Sequence, residues 1–211
     1  MTEPTRDKEE PLHVDNCQVY WNLCEDVASL RIKWNLYQDL YCEENIGVLK
    51  DTAPTPFSMI EQALRWGITL SICHLSERKK VSGCKQFSIV SLVEALDSPE
   101  GFRQEFETFR DQCKPVRDYR NNCVAHKNYE AALKGDIKAE LLSQIGKSLI
   151  EAIVTAAKDL LEHAFRSGKV GGAEFHFEHV ETLGDGKTII GQLKRAKEAR
   201  LAGPSASGKR D

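Results

Sequence analysis

The chain has 211 residues, with 29 Lys and Arg against 32 Asp and Glu and a formal net charge of −3. This length suits one main domain with an appendage, and the near balance of charge excludes a general attraction to nucleic acid, so any RNA contact must come from a local basic patch. The charged amino terminus and the lack of a long uncharged run predict neither secretion nor membrane insertion. The seven cysteines include no Cys-x2-Cys pair, so we expect reduced core residues of a cytoplasmic protein.

The first predicted element is a long amphipathic helix over about residues 15–44, after a disordered tail at residues 1–14. Its apolar positions recur at alternating steps of three and four, at Tyr20, Leu23, Val27, Leu30, Trp34, Tyr37 and Tyr41. This spacing places them on one face of a helix. Large aromatic side chains on such a face must be covered by other helices or by another subunit.

Three more long helices and one short helix follow, predicted from start signals and from apolar residues at helical spacing. They run from Thr55 to Ser76, Ser88 to Leu96, Ser98 to about Arg120, and Gly135 to Gly168. The basic stretch between the first two of these is predicted as a surface loop. The predicted fold class is therefore all-α, a bundle of four long helices and one short helix over residues 15–167.

The period of the sequence changes over residues 168–200. Phe175 and Phe177 alternate with polar residues, and the tight-turn signal Gly184-Asp185-Gly186 precedes Lys187 to Ile190. This pattern predicts a small β-hairpin, followed by a short helix. A lone hairpin is marginal in water, so we expect it to pack on the bundle or on a partner. Residues 201–211 are predicted to be a disordered tail.

Cationic, amide and imidazole side chains are densest over residues 117–129. Arg120 and His126 are six positions apart, which is about 240° of rotation on an uninterrupted helix. The helix must therefore break near His126, or another subunit must complete the site. Histidine titrates near neutral pH and can move the proton of a 2′-OH, while a guanidinium can bind two phosphoryl oxygens at once. The pair thus suits RNA cleavage without a metal or another cofactor.

This segment resembles the nuclease motif of the HEPN superfamily, most closely that of the abortive-infection type. The resemblance is carried by Arg120, the polar Asn121 after it, and the apolar Val124-Ala125 just before His126. It implies that Arg120 binds phosphate and that His126 is the acid–base residue. The expected substrate-binding residues are Asn121, Lys127, Arg117 and Asn122.

The resemblance also implies a homodimer acting on RNA. One histidine cannot easily serve as both base and acid on opposite sides of phosphorus, and a two-fold dimer supplies the second. An antitoxin or regulatory protein is a further expected partner. Members of the family often carry Arg and Asp near the end of the second helix, where this chain has His74 and Glu77. The roles of His74 and Glu77 are left open.

The function expected from these residues is that of a metal-independent endoribonuclease in a toxin or abortive-infection defence role. The alternative is a catalytically inactive HEPN-fold module that binds RNA, nucleotide or a protein. In that case Arg120 is a carboxylate or carbonyl partner and His126 caps its helix. A third interpretation is a structural adaptor that uses the aromatic first helix as its interface.

Three other features are assigned to structure rather than to chemistry. His176 and His179 supply too few ligands for a metal and are predicted on a solvated strand face. The basic run over residues 194–197 is predicted to be a solvated helix face. The tryptophans are predicted as core or interface anchors before they are base-stacking platforms, at Trp21, Trp34 and Trp66.

Overall fold

The computed structural model describes residues 16–77, 80–81, 84–85, 88–96, 100–125, 145–168, 170, 172–181 and 186–201. Helices make up most of these residues, which confirms the all-α class. The predicted tail at residues 1–14 and the start signal at Gly135 lie outside the described residues, and of residues 201–211 only Leu201 is described. None of the described helices combines the length and the apolar composition that crossing a membrane requires.

The described elements follow one another in a simple order. The helices are α1 (Asn16–Leu40), α2 (Glu43–Thr52), α3 (Pro54–Ser76), α4 (Ile89–Ala95), α5 (Glu100–Gln112), α6 (Lys114–Tyr119), α7 (Lys147–Arg166), α8 (Glu178–Glu181) and α9 (Gly186–Leu201). A π-helical segment, Arg120–Ala125, continues α6. Two short strands, β1 (Lys80–Val81) and β2 (Cys84–Lys85), pair antiparallel within the stretch that the sequence predicted as a loop.

Helix α1 is the central element of the bundle. It contacts α2, α3, α4, α7, α8 and α9, and Tyr20, Leu23, Leu30 and Trp34 on its predicted stripe are buried. Burying a large apolar side chain contributes about 1.5–3 kcal/mol, so this stripe is a major source of stability. The chain covers the stripe with its own helices, and these buried residues are not available as an interface for another protein.

Several predicted boundaries agree with the structure. Helix α3 ends at Ser76, α4 occupies the predicted short segment, and α5 begins at Glu100. Helix α7 ends at Arg166, and Gly168 takes a φ of 70°. A residue in this left-handed region commonly ends a helix, and glycine adopts it without steric cost.

The sequence did not predict α2 as a separate helix. Helix α1 ends at Leu40, and α2 follows with two glutamates in its first turn and a lysine in its last turn. Those charges complement the helix dipole. Leu49 of α2 packs with Leu40 and Ile190 in a second, smaller core, which ties α2 and α9 to the end of α1.

The predicted β-hairpin in residues 168–200 is wrong. The supposed second strand, Lys187 to Ile190, lies inside α9, and Phe177 directly precedes α8. The alternation of aromatic and polar residues has another cause, because Phe175 contacts Trp21 edge to face and Phe177 is buried. Aromatic and polar residues therefore alternate here in an irregular segment, in the pattern that is typical of a strand.

Candidate active site

The fourth predicted helix is not continuous. Helix α5 ends at Gln112, and α6 begins at Lys114 with Pro115 in its first turn, where a missing N–H has the least effect. After Tyr119 the backbone changes to π geometry, from Arg120 to Ala125. Single π turns recur at functional sites. Regular α geometry thus ends at Arg120, whereas the break expected near His126 lies outside the described residues.

Arg120 is fixed by a carboxylate from another helix. Its Nη2 donates a hydrogen bond to Oε1 of Glu77, the residue that directly follows α3. The side chain of Arg120 is 26% exposed and that of Glu77 is 17% exposed. A charge-assisted hydrogen bond in such a partly buried place is stronger and better ordered than one on the surface. Glu77 therefore determines where the guanidinium of Arg120 lies.

The cluster around Arg120 contains more cationic donors than acceptors. Arg120 Nε and Arg117 Nη1 are both buried and donate to no acceptor within the described part of the chain. An unpaired buried N–H costs about 1–3 kcal/mol, so an acceptor that reached these groups would bind favourably. Among the described residues, Glu77 is the carboxylate that pairs with Arg120, and Arg117 adds a second guanidinium close to Cys73.

Two thiols lie beside these arginines and are neutral. Burial raises the pKa of Cys73, although the adjacent Arg120 acts to lower it. Burial likewise raises the pKa of Cys113 to about 12, against the opposing charge of Arg117 and a hydrogen bond with Ser76. Because the thiols carry no charge near neutral pH, they do not offset the arginines, and the cluster stays positive.

The other predicted substrate-binding residues are placed unevenly. Asn121 is exposed next to Arg120. Asn122 donates a hydrogen bond from Nδ2 to the backbone carbonyl of Asp118 at 2.8 Å. Its side-chain amide therefore bonds to the backbone of its own segment. His126 and Lys127 lie outside the described residues, and the catalytic pair of Arg120 and His126 stays a prediction.

His74 and Glu77, whose roles were left open, have different partners. Glu77 belongs to the Arg120 cluster, whereas His74 Nε2 lies 3.5 Å from Asp26 Oδ2 on α1. They are three residues apart, but Glu77 has left the helix. The sequence carried no signal that pairs Glu77 with Arg120, because the two lie 43 positions apart.

The features assigned to structure mostly keep that assignment, although His176 lies in an irregular segment and His179 in α8, so their strand prediction is wrong. No group of His, Cys, Asp or Glu in the described ranges is arranged to hold a metal ion. The basic run lies on the exposed α9, with Lys197 Nζ 2.6 Å from Asp51 Oδ2. Trp34 is buried, whereas Trp66 is 45% exposed and anchors no core.

Comparisons of the chain with protein-family models, with curated proteins and with solved structures found no match in any of the three. The HEPN resemblance therefore stays a prediction that rests on the residues of the motif.

Proposed function

We propose that this protein is a metal-independent endoribonuclease of the HEPN type, with a role in toxin or abortive-infection defence. The observation that supports the proposal is the Arg120 cluster. Arg120 is fixed by Glu77, keeps about a quarter of its side chain exposed, and has a second guanidinium, that of Arg117, nearby with a donor unpaired. A fixed, partly desolvated cationic centre is what the developing charge on a phosphoryl group requires.

The proposed reaction uses the RNA itself as the nucleophile. The 2′-oxygen attacks the adjacent phosphorus, the P–O5′ bond breaks, and the products are a 2′,3′-cyclic phosphate and a 5′-hydroxyl. His126 accepts the proton of the 2′-OH, and a second His126 donates a proton to the departing 5′-oxygen. Arg120 binds the phosphoryl oxygens throughout. Because the two proton transfers occur on opposite sides of phosphorus, the proposal requires a two-fold homodimer.

A second candidate function is a catalytically inactive module that binds RNA, nucleotide or a protein partner. The specific observation in its favour is that Arg120 already has a carboxylate partner, Glu77. A guanidinium has five N–H donors, so one carboxylate leaves donors for a phosphate. Both functions can therefore use the remaining N–H donors of Arg120 to bind a phosphate. They differ in whether the bound RNA is then cleaved.

The deciding experiment is incubation of the purified protein with mixed RNA in EDTA, followed by analysis of the new ends. We expect cleavage to survive chelation and to leave 2′,3′-cyclic phosphates. An RNA with hydrogen in place of the 2′-OH at the cleaved position should resist cutting, because the internal nucleophile is absent. A strict Mg²⁺ requirement, or cutting of the 2′-deoxy substrate, would overturn the mechanism. Absence of cleavage in every assembly state would favour the inactive module.

A further inference from the structure

One face of α3 is apolar and exposed among the residues that the structure describes. Met59 is 66% exposed, Trp66 45% and Leu70 50%, and Ala63 between them is also exposed. These four residues, which we call the α3 row, are separated by steps of four, three and four. Steps of this kind form the seam along which two helices pack in a coiled coil. Single exposed apolar residues are ordinary, whereas a contiguous row with a tryptophan marks an interaction surface.

The α3 row leads to the candidate active site. Continued by steps of three and four, the same register reaches Cys73 and Glu77. Cys73 is buried, and α6 and the π-helical segment contact α3. The elements that carry Arg120 therefore cover the carboxyl-terminal part of this face, and no other described element covers the part from Met59 to Leu70. Leu70 and Glu77 are seven residues apart, which is about 10 Å along a helix.

We propose that the α3 row packs against the α3 row of a second copy, with the two helices running in the same direction about a two-fold axis. The inference rests on the proposed function, which needs a second His126 at each cleavage site. The direction follows from the position of Arg120 at one end of the row. In an antiparallel pair the two Arg120 clusters would lie roughly 30 Å apart, too far to share a phosphate.

The residues that flank the α3 row suit pairing with an identical surface. In a two-fold interface each residue meets a copy of itself or of its neighbours, so like charges beside the seam would repel. The flanking positions are Ile60, Gln62, Gly67 and Thr69, which carry no charge. A Cβ added at Gly67 would meet only the side chain of Lys33, at 3.5 Å. No described backbone occupies that position, and another helix can approach there if it displaces the flexible side chain of Lys33.

The proposed dimer is tested by introducing a charged residue into the α3 row. Leu70→Glu should convert a dimer to a monomer in light scattering at micromolar concentration, because two buried carboxylates would face each other. Since Leu70 is half exposed in the chain, the melting temperature of the variant should change by only a few degrees. The matched control is Leu201→Glu on α9, where Leu201 is 77% exposed and the dimer should persist. A wild type that is monomeric with RNA present, or a dimeric Leu70→Glu, overturns the proposal.

The direction of the pair has its own test. Met59→Cys and Leu70→Cys are separate variants of the full chain, each treated with oxidised glutathione beside the wild type. In a parallel pair each new cysteine lies opposite its copy, within the roughly 7 Å that a disulfide requires between Cα atoms, and both variants should cross-link. In an antiparallel pair Met59 of one copy lies far from Met59 of the other. Cross-linking of one variant alone, or of neither, overturns the parallel arrangement.

The interface and the nuclease can fail separately. If Leu70→Glu becomes a monomer and loses RNA cleavage, the interface and the shared site both stand. If Leu70 controls a dimer that cuts no RNA, the interface stands and the proposed nuclease fails. If the monomeric variant cuts RNA as well as the wild type does, the link between the α3 row and the cleavage site is wrong.

Discussion

In the described part of the chain, two arginine–glutamate pairs join different elements, and they differ in which partner is the more exposed. In the pair between α1 and α7, Arg31 Nη1 lies 2.6 Å from Glu151 Oε1, with side chains 14% and 43% exposed. In the pair between the π-helical segment and the end of α3, the order is reversed, with Arg120 26% and Glu77 17% exposed. The first pair presents a carboxylate to water and the second presents a cation.

The two pairs also differ in whether their polar atoms all have hydrogen-bond partners. Glu151 also accepts from Trp34 Nε1 at 2.5 Å, so both of its oxygens are bonded. Arg120 has a buried Nε without an acceptor in the described ranges. A fully bonded pair stabilises the contact between its helices, whereas a pair with unused donors can also bind an anion. The comparison suggests that Arg31 and Glu151 are structural and that Glu77 positions a functional Arg120.

The largest expected effect concerns the histidine of the motif. His126→Ala should lower RNA cleavage about 10²- to 10⁴-fold, the usual range for loss of a general acid–base group. The melting temperature should stay unchanged, because a catalytic side chain in a solvent-reachable cleft contributes little to folding. If His126 instead caps its helix, the change should cost about 1–3 kcal/mol of stability and leave cleavage unaffected. Cleavage assays and thermal melts on the same preparation separate the two outcomes.

The second prediction tests whether the guanidinium of Arg120 binds phosphate through two N–H groups at once. Arg120→Lys keeps the positive charge but loses bidentate binding, so RNA cleavage should fall while the net charge stays the same. The matched control is Arg31→Lys, in the pair that we assign to structure, which should leave cleavage intact. Equal loss of cleavage in both variants would show that it follows stability rather than phosphate binding.

The third prediction compares the two glutamates directly. Glu77→Gln and Glu151→Gln each remove one carboxylate charge from an arginine pair. The loss of unfolding free energy should be about 1–3 kcal/mol for Glu77, which is 17% exposed, and under about 1 kcal/mol for Glu151, which is 43% exposed. Only Glu77→Gln should also lower RNA cleavage, by roughly 10- to 100-fold, because a misplaced Arg120 no longer meets the phosphate correctly. Denaturant unfolding and cleavage rates measure both quantities. Equal cleavage in the two variants would remove the positioning role of Glu77.

The fold was predictable where one physical cause dominates. The row from Tyr20 to Trp34 is apolar at helical spacing and is buried by its own chain. The helix ends at Ser76 and Arg166 were also predictable from local signals. The break between α1 and α2 was not, because apolar spacing continues through Tyr41, and the sequence alone does not show that the chain turns there to build a second core.

The candidate site was predictable in part. Arg120 and Arg117 were selected for their density of charge, and both belong to the cationic cluster. The partner Glu77 could not be assigned from sequence, since it lies 43 positions from Arg120 and meets it only through the packing of α3 on α6 and the π-helical segment. The hairpin prediction failed for a related reason, because Phe175 and Phe177 are spaced by contacts with the bundle.

The smallest expected effect is a pH dependence at Glu151. Burial alone would raise the pKa of Glu151, but hydrogen bonds from Arg31 and Trp34 outweigh it and place the pKa below its ordinary value of 4.5. The folded state then binds the proton less readily than the unfolded state, so the stabilisation is complete above about pH 4.5 and is lost as the pH falls through the lower folded pKa. Since Glu151 is 43% exposed, water screens the pair and the contribution should be under about 1 kcal/mol. Urea unfolding at pH 7 and at about pH 3.5 should therefore show a smaller acid-induced loss of stability in Glu151→Gln than in the wild type. If both proteins lose the same free energy between these pH values, the carboxylate of Glu151 does not stabilise the contact between α1 and α7 through its charge.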